Sequence, residues 1–229
     1  MTGGENMADD GKKNAQSIKP IPEPTLRRLP VYYQYLKKIN KEGKIDFISA
    51  TQIGTDLNII PIQVRKDLEI TEIPGRPKLG YSVTELIKGI EDFLGWNNIT
   101  DAFLVGAGNL GSALLGYNGF REYGVNIIAA FDNDEKKVGT EIAGKKILHV
   151  DKLPDMVKRM GIKIGILTVP AAYAQETADL MADAGIRAIW NFTHVKINTP
   201  PDVIIQHENL AASLVVLSKK LKIMLQAEN

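Results

Sequence analysis

Cysteine is absent from this 229-residue chain. Disulfides, thiolate metal sites and thiol nucleophiles are therefore excluded. Histidine is scarce: His149, His194 and His207 are the three, and their spacing matches no metal-ligand pattern. They read as surface or strand-end residues, so no metal is expected. No apolar run approaches the roughly 20 residues of a membrane span. The first residues lack the apolar core of a secretory signal. The expectation is a cytoplasmic protein without membrane association. Charge is nearly balanced, at 28 Lys/Arg against 27 Asp/Glu, but unevenly spread. Residues 24–82 hold ten Lys/Arg against six Asp/Glu. That local excess permits nucleic acid binding and does no more. The length suits one or two domains with at least one sizeable core.

What is present is concentrated in ITDAFLVGAGNLGSALLGYNGFREYGVNIIAAFD, residues 99–132. An apolar run at 102–105 leads into Gly106, Ala107, Gly108, Asn109, Leu110 and Gly111. A helix-forming segment follows. A second apolar run then stops at Asp132, 26 residues after Gly106. Strand, glycine-rich turn, helix, strand and acid, in that order, make a dinucleotide-binding unit. Gly106 permits the turn, Gly108 leaves room for a pyrophosphate, and Gly111 lets the helix approach the sheet. The N–H groups of the new helix face the phosphates. The Asp132 carboxylate accepts from a ribose 2′-hydroxyl and repels a 2′-phosphate, which favours NAD over NADP.

The preceding chain reads differently. Residues 1–22 are polar and are expected to be a disordered tail. A helix over 25–41 carries Leu26, Leu29, Tyr32, Tyr33, Leu36 and Ile39 at helical spacing. Ser49 caps a short helix over 50–56, and Pro61 opens another over 61–70 with Val64 and Leu68 inward. TEIPGRPKLGYS, residues 71–82, reads as an extended hairpin with a basic tip, and 83–94 as an amphipathic helix. Three helices plus a basic hairpin make a winged helix-turn-helix. The third helix would enter a major groove, bringing Gln63, Arg65 and Lys66 to base edges or phosphates. Ser49 and Thr51 complete that contact set. Arg76 and Lys78 on the wing would enter a minor groove or bind its phosphates. The same pattern also fits a small helical module with a solvated basic face.

After Asp132, strands near 146–150, 165–170, 186–190 and 203–206 alternate with helices over 150–160 and 171–184. The fold class is therefore α/β, with a doubly wound parallel sheet. Ligands of such sheets lie outside the carboxyl ends of the strands, here Gly106, Asp132, Thr168, Val169, Pro170, Asn191 and Phe192. A last helix over 208–226 sets Leu210, Leu214, Leu217, Leu221 and Leu225 on one stripe. It packs on its own domain or joins two copies, and a palindromic DNA site calls for two-fold symmetry. The expected domains are 1–22 (tail), 23–98 (winged helix), 99–207 (Rossmann) and 208–229 (dimerisation helix).

Eight strings carry a resemblance: RRLPVYYQYL (27–36), QVRKDL (63–68), LGYSV (79–83), GAGNLG (106–111), GYNGF (116–120), AFDND (130–134), LTVP (167–170) and WNFT (190–193). Taken together and in this order, the chain resembles the Rex family of bacterial redox-sensing transcriptional repressors. The resemblance implies a homodimer whose last helix is swapped between subunits. It implies binding to an AT-rich inverted repeat of operator DNA, release by NADH, and competition from NAD⁺ without release. It implies that Thr168, Val169, Pro170 and Phe192 surround the nicotinamide, and that Tyr117 responds to the cofactor's redox state. Where the family pairs an aspartate at the start of the last helix with an arginine in the first, this chain has Asn209 and Gln34. Two neutral amides avoid the uncompensated charge that a single replacement would leave. No catalytic residue is expected. The residues themselves leave two other readings. An NAD-dependent dehydrogenase would need an acid or base at the nicotinamide, where His194 is the sole candidate. A CoA-binding α/β domain shares the glycine loop, although Asp132 argues for a ribose diol.

Overall fold

The computed structural model describes residues 21–43 and 45–227. The expected tail lies outside the described residues, except for Ile21 and Pro22. The chain divides into two compact units between Leu94 and Gly95.

The first unit opens with α1 (Glu23–Glu42), started by a proline in its first turn and closed by Gly43 at φ 65°. Its buried face is Thr25, Leu29, Tyr32, Tyr33 and Leu36. Leu26, expected inside, is 38% exposed. Thr25 is buried instead because its hydroxyl has a partner there, Asp67. Then come β1 (Phe47–Ile48), α2 (Ala50–Leu57), α3 (Pro61–Leu68), β2 (Tyr81–Ser82) and α4 (Val83–Leu94). The Ser49 hydroxyl caps α2, accepting the Gln52 N–H at 3.0 Å. Between α2 and α3 the chain turns through Asn58 at φ 54°. A Cβ on Gly54 would stand 2.5 Å from the Ile59 carbonyl oxygen, so that turn admits no side chain there.

The extended hairpin expected over 71–82 is cut down to its basic tip, where Arg76 and Gly80 form an antiparallel bridge around Lys78. Residues Glu69–Thr71 make a 3-10 turn, and the loop closes tightly where Arg76 and Gly80 exchange backbone hydrogen bonds at 2.7 and 2.9 Å. β2 pairs antiparallel with β1 rather than with its own loop. At two residues, β1 is too short to show alternating polarity, which is why the sequence pattern missed it.

Asp67 joins α1 to α3. Its side chain is 1% exposed and accepts five hydrogen bonds: Thr25 (2.9 Å), Arg28 twice (2.6 and 2.8 Å), Tyr32 (2.7 Å) and Gln63 (2.9 Å). Burial pushes the carboxyl up, but the donors, Arg28 first, outweigh it and bring Asp67 down to about 2. The hydrogen bond to Asp67 pushes Arg28 up in turn, and burial followed by Asp67 pushes the Tyr32 hydroxyl up.

The second unit runs β3 (Thr100–Val105), α5 (Asn109–Gly116), β4 (Val125–Asp132), β5 (Glu141–Ile142), β6 (Lys145–His149), α6 (Leu153–Met160), β7 (Ile164–Leu167), α7 (Ala174–Ala184), β8 (Ala188–Asn191), β9 (Ile204–His207) and α8 (Leu210–Ala227). The sheet order is β5-β6-β4-β3-β7-β8-β9, parallel except for the β5–β6 edge pair. Alternate residues of β3 feed two cores. Phe103 and Val105 pack with Phe131, Leu153 and Met181, while Leu104 packs with Leu115, Ile127 and Ile166. The connection order reverses between β3 and β7, the position where such sheets bind ligands.

α8 buries none of its residues. Its leucines stay between 48% (Leu225) and 66% (Leu214) exposed. Among the described residues, then, α8 does not pack on its own domain. Asn209 caps it, its side-chain oxygen accepting the Ala212 N–H at 3.1 Å.

Replacing Asp67 with asparagine is expected to destabilise the first unit by about 2–4 kcal/mol, because Arg28 and Tyr32 lose an anionic partner. The aspartate's contribution is present in full above its ordinary value of 3.8 and fades as pH falls towards about 2. Urea unfolding of both proteins across that range should show the two curves converging in acid.

Candidate functional site

Crowding at the switch point explains the glycines. Gly106 holds φ +104°, and a Cβ on it would lie 2.7 Å from the Thr168 carbonyl carbon and 2.8 Å from the Val169 nitrogen. A Cβ on Gly111 would lie 1.9 Å from the Gly106 oxygen. The Thr168 hydroxyl donates across this crossing to the Gly106 and Val105 carbonyls, at 2.7 and 3.1 Å. Gly108 is the opposite case, since a Cβ there would have nothing within 4 Å. It faces a cleft of about 900 Å³ lined also by Gly106, Asp132, Lys137, Thr168, Val169, Pro170 and Tyr173. The α5 ladder begins with the Ser112 N–H on the Gly108 carbonyl, 2.8 Å. The N–H groups of Asn109, Leu110 and Gly111 precede it as the helix's orphan donors.

Asp132, 7% exposed, accepts the Ala107 N–H (2.8 Å), the Asp134 N–H (2.9 Å) and the Lys137 ammonium (3.1 Å). Burial pushes this carboxyl up, but these donors outweigh it and hold it below its ordinary value. It is therefore an anion at neutral pH. Two expectations change. The Ala107 N–H is engaged by Asp132, so it does not face the phosphates. Lys137, read from sequence as part of a polar turn, partly neutralises Asp132 and weakens its repulsion of a 2′-phosphate. Its position five residues beyond the acid was the one available signal.

Tyr117, Asn191 and Phe192 do not line the cleft. Tyr117 stands edge-on to Phe120 (centroids 4.9 Å), Phe120 to Trp190 (5.6 Å), and Trp190 lies against Phe192 (4.5 Å). The Trp190 indole donates to Glu208 at 3.0 Å. This row runs from the loop after α5 to the residue before the α8 cap. Asn191 is fully buried, and its amide is occupied by the Val195 carbonyl (3.2 Å), His207 Nδ1 (2.9 Å) and the Thr193 N–H (2.8 Å). It fastens the loop after β8 and is not free to hold a cofactor, contrary to the sequence reading.

In the first unit, Ile62, Arg65 and Lys66 share the exposed face of α3. Gln63, expected beside them, is half-buried and gives its amide to Asp67, which restricts it as a base-reading group. Ser49 and Thr51 are exposed at the start of α2. The Arg76 guanidinium lies 4.9 Å from the Phe47 ring centre and 3.8 Å from Glu85, while Lys78 is exposed in the turn. Among the described residues, no cluster of side chains could hold a metal, and no helix is long and apolar enough to cross a membrane.

A redox-sensing transcriptional repressor Rex from Treponema denticola is 50% identical over 194 residues, covering 85% of this chain and 92% of its own. The chain belongs to the Rex family. A second Rex, from Bacteroides thetaiotaomicron, is 42% identical over 94% of this chain and 97% of its own. Among solved structures, the chain is similar to RSP, a Rex-family repressor. The RSP complex with β-NAD⁺ and operator DNA superposes with a TM-score of 0.84 at 32% identity, covering 92% of this chain and 96% of that one. The RSP complex with β-NADH gives 0.81 at 33%, covering 91% and 97%. Two family models match, "CoA binding domain" over 97–195 and "Putative DNA-binding protein N-terminus" over 20–69. The first bears the name of one rival reading, but the Rex relatives extend over both units. The fold class is that of the Rex structures: an N-terminal DNA-binding domain followed by a Rossmann-like parallel sheet.

Gly108→Val and Gly111→Ala separate ligand space from folding space. Gly108→Val should keep the unfolding temperature within about 2 °C of the parent and weaken NADH binding at least about tenfold, read by fluorescence titration. Gly111→Ala should lower the unfolding temperature itself.

Proposed function

We propose that this protein is a homodimeric repressor that binds an AT-rich palindromic operator through its first unit. NADH in the cleft of its second unit releases it, and NAD⁺ competes for the cleft without doing so. The observation that carries this reading is the joining, in one chain, of an open glycine cradle at the switch point to an exposed basic α3 in a helix-turn-helix.

The cleft fits a dinucleotide. Gly108 leaves room for the pyrophosphate, the first N–H groups of α5 face it, and the Asp132 anion is placed for a ribose diol. Thr168, Val169 and Pro170 stand at the nicotinamide end. The two forms of the cofactor present there a neutral ring or a cation. The apolar side chains of Val169 and Pro170 line that end and favour the neutral ring, because desolvating a cation is costly. A ligand shifts an equilibrium only by its differential affinity, so the NADH-filled cleft must belong to the DNA-incompetent dimer. α8, with its leucine stripe uncovered, supplies the surface for the partner subunit, and Gln34 with Asn209 is the neutral counterpart of the family's ion pair. The task requires no bond to be made, so the protein is read as a non-enzyme working in the cytoplasm, where its operator is.

A gel shift on an AT-rich palindrome, with NADH and NAD⁺ titrated separately, tests this. The bound fraction should fall with NADH and hold with NAD⁺. Equal retention of the duplex by NADH-saturated and nucleotide-free protein overturns the reading. Coupling is reciprocal, so operator DNA should weaken NADH binding by the same factor, measurable by energy transfer from Trp190.

A further inference from the structure

The first turn of α3 carries two large apolar side chains in water. Ile60, at the cap, is 72% exposed and Ile62 is 63% exposed. One exposed isoleucine would be unremarked on any surface. These two stand at the end of the helix that a helix-turn-helix presents to base edges. Ile62 shares its face with Arg65 and Lys66, three and four residues on, both exposed. The polar residue in the same turn, Gln63, is turned inward to Asp67. The outward chemistry at this point is therefore hydrocarbon, bordered by two cations suited to phosphates.

A major groove offers one apolar feature on its base edges, the 5-methyl group of thymine. Guanine and cytosine present acceptors and donors there. An isoleucine pressed against those would desolvate them and return no hydrogen bond. We propose that Ile62, flanked by Ile60, selects thymine by contact with its methyl group, making it a specificity-determining residue of the recognition helix. This rests on the operator-binding reading above and names the base that reading leaves open.

Uracil removes the methyl and keeps every hydrogen-bonding group of thymine. The test uses the full chain and the palindrome bound in the gel shift, with thymines replaced by uracil one position per half-site at a time. At one position the parent should lose about four- to fifteenfold in affinity, the scale of one to two buried methyls across the two half-sites. Ile62→Ala should bind the thymine duplex more weakly and no longer distinguish it from the uracil duplex. Ile62→Leu should restore part of the discrimination. The proposal is overturned if uracil is tolerated everywhere by the parent. It is also overturned if Ile62→Ala keeps the parent's thymine preference. Tight operator binding without methyl sensitivity leaves the repressor reading standing and removes this one, as expected if the face meets a protein instead. Failure to bind any palindrome removes both.

Discussion

The second unit depends on how closely a helix passes a sheet. At the crossing of β3, α5 and β7, the position of a Gly111 Cβ is 1.9 Å from the Gly106 oxygen, and Gly106 itself abuts the Thr168–Val169 peptide. No side chain fits at either position. Because the helix is drawn in this far, its first N–H groups arrive at the carboxyl end of the sheet, where an anion can reach them. Gly108 alone of the three faces open space. The same small residue thus serves packing at two positions and ligand access at the third.

A buried, ionised aspartate organises each unit, by different means. Asp67 is surrounded by side chains: four hydrogen bonds from Thr25, Arg28 and Tyr32 hold α1 against α3, and a fifth comes from Gln63 on α3 itself. That fixes which face of α3 is turned outward, because Gln63 points to Asp67 and Ile62, Arg65 and Lys66 are left to solvent. Asp132 draws on two backbone N–H groups and one lysine. It ties the glycine loop to the turn after β4, so the residue placed to meet a ribose also sets the shape of the phosphate cradle. Removing the Asp67 carboxylate would strand Arg28 and Tyr32, and removing that of Asp132 would strand the Ala107 and Asp134 N–H groups.

The fold was legible where pattern is long. Glycine spacing, the apolar runs and the acid at 132 located the nucleotide cleft, and helical periodicity located α1 and α4. What stayed hidden was short or depended on tertiary context. β1 and β5, of two residues each, carry no periodicity. Asn191 looks like a strand-end ligand until its amide is seen bonded to Val195, His207 and Thr193. Gln63 looks like a base reader until Asp67 claims it. Lys137 looks like a solvated turn residue until it closes on Asp132. The Gln63 bond spans one helical turn and was open to an i,i+4 reading; the others rest on turn geometry or on partners distant in sequence.

α8 gives the last step. An 18-residue helix that buries none of its leucines gains little from its own chain, and isolated helices of such length are marginal in water. Its stability is therefore linked to whatever covers it, and by mass action to the concentration of that partner. The row Tyr117, Phe120, Trp190, Phe192 reaches this helix through the Trp190–Glu208 hydrogen bond, one residue before the Asn209 cap. In the proposed switch, a change at the nicotinamide reaches these rings through the end of β7, where the Phe192 N–H donates to the Leu167 carbonyl beside Thr168, and so alters how α8 leaves the sheet. A helix that is seated by its partner has discrete seats rather than a continuum of positions. A displacement small at the rings can then select between two arrangements of the dimer, and the operator can tell them apart.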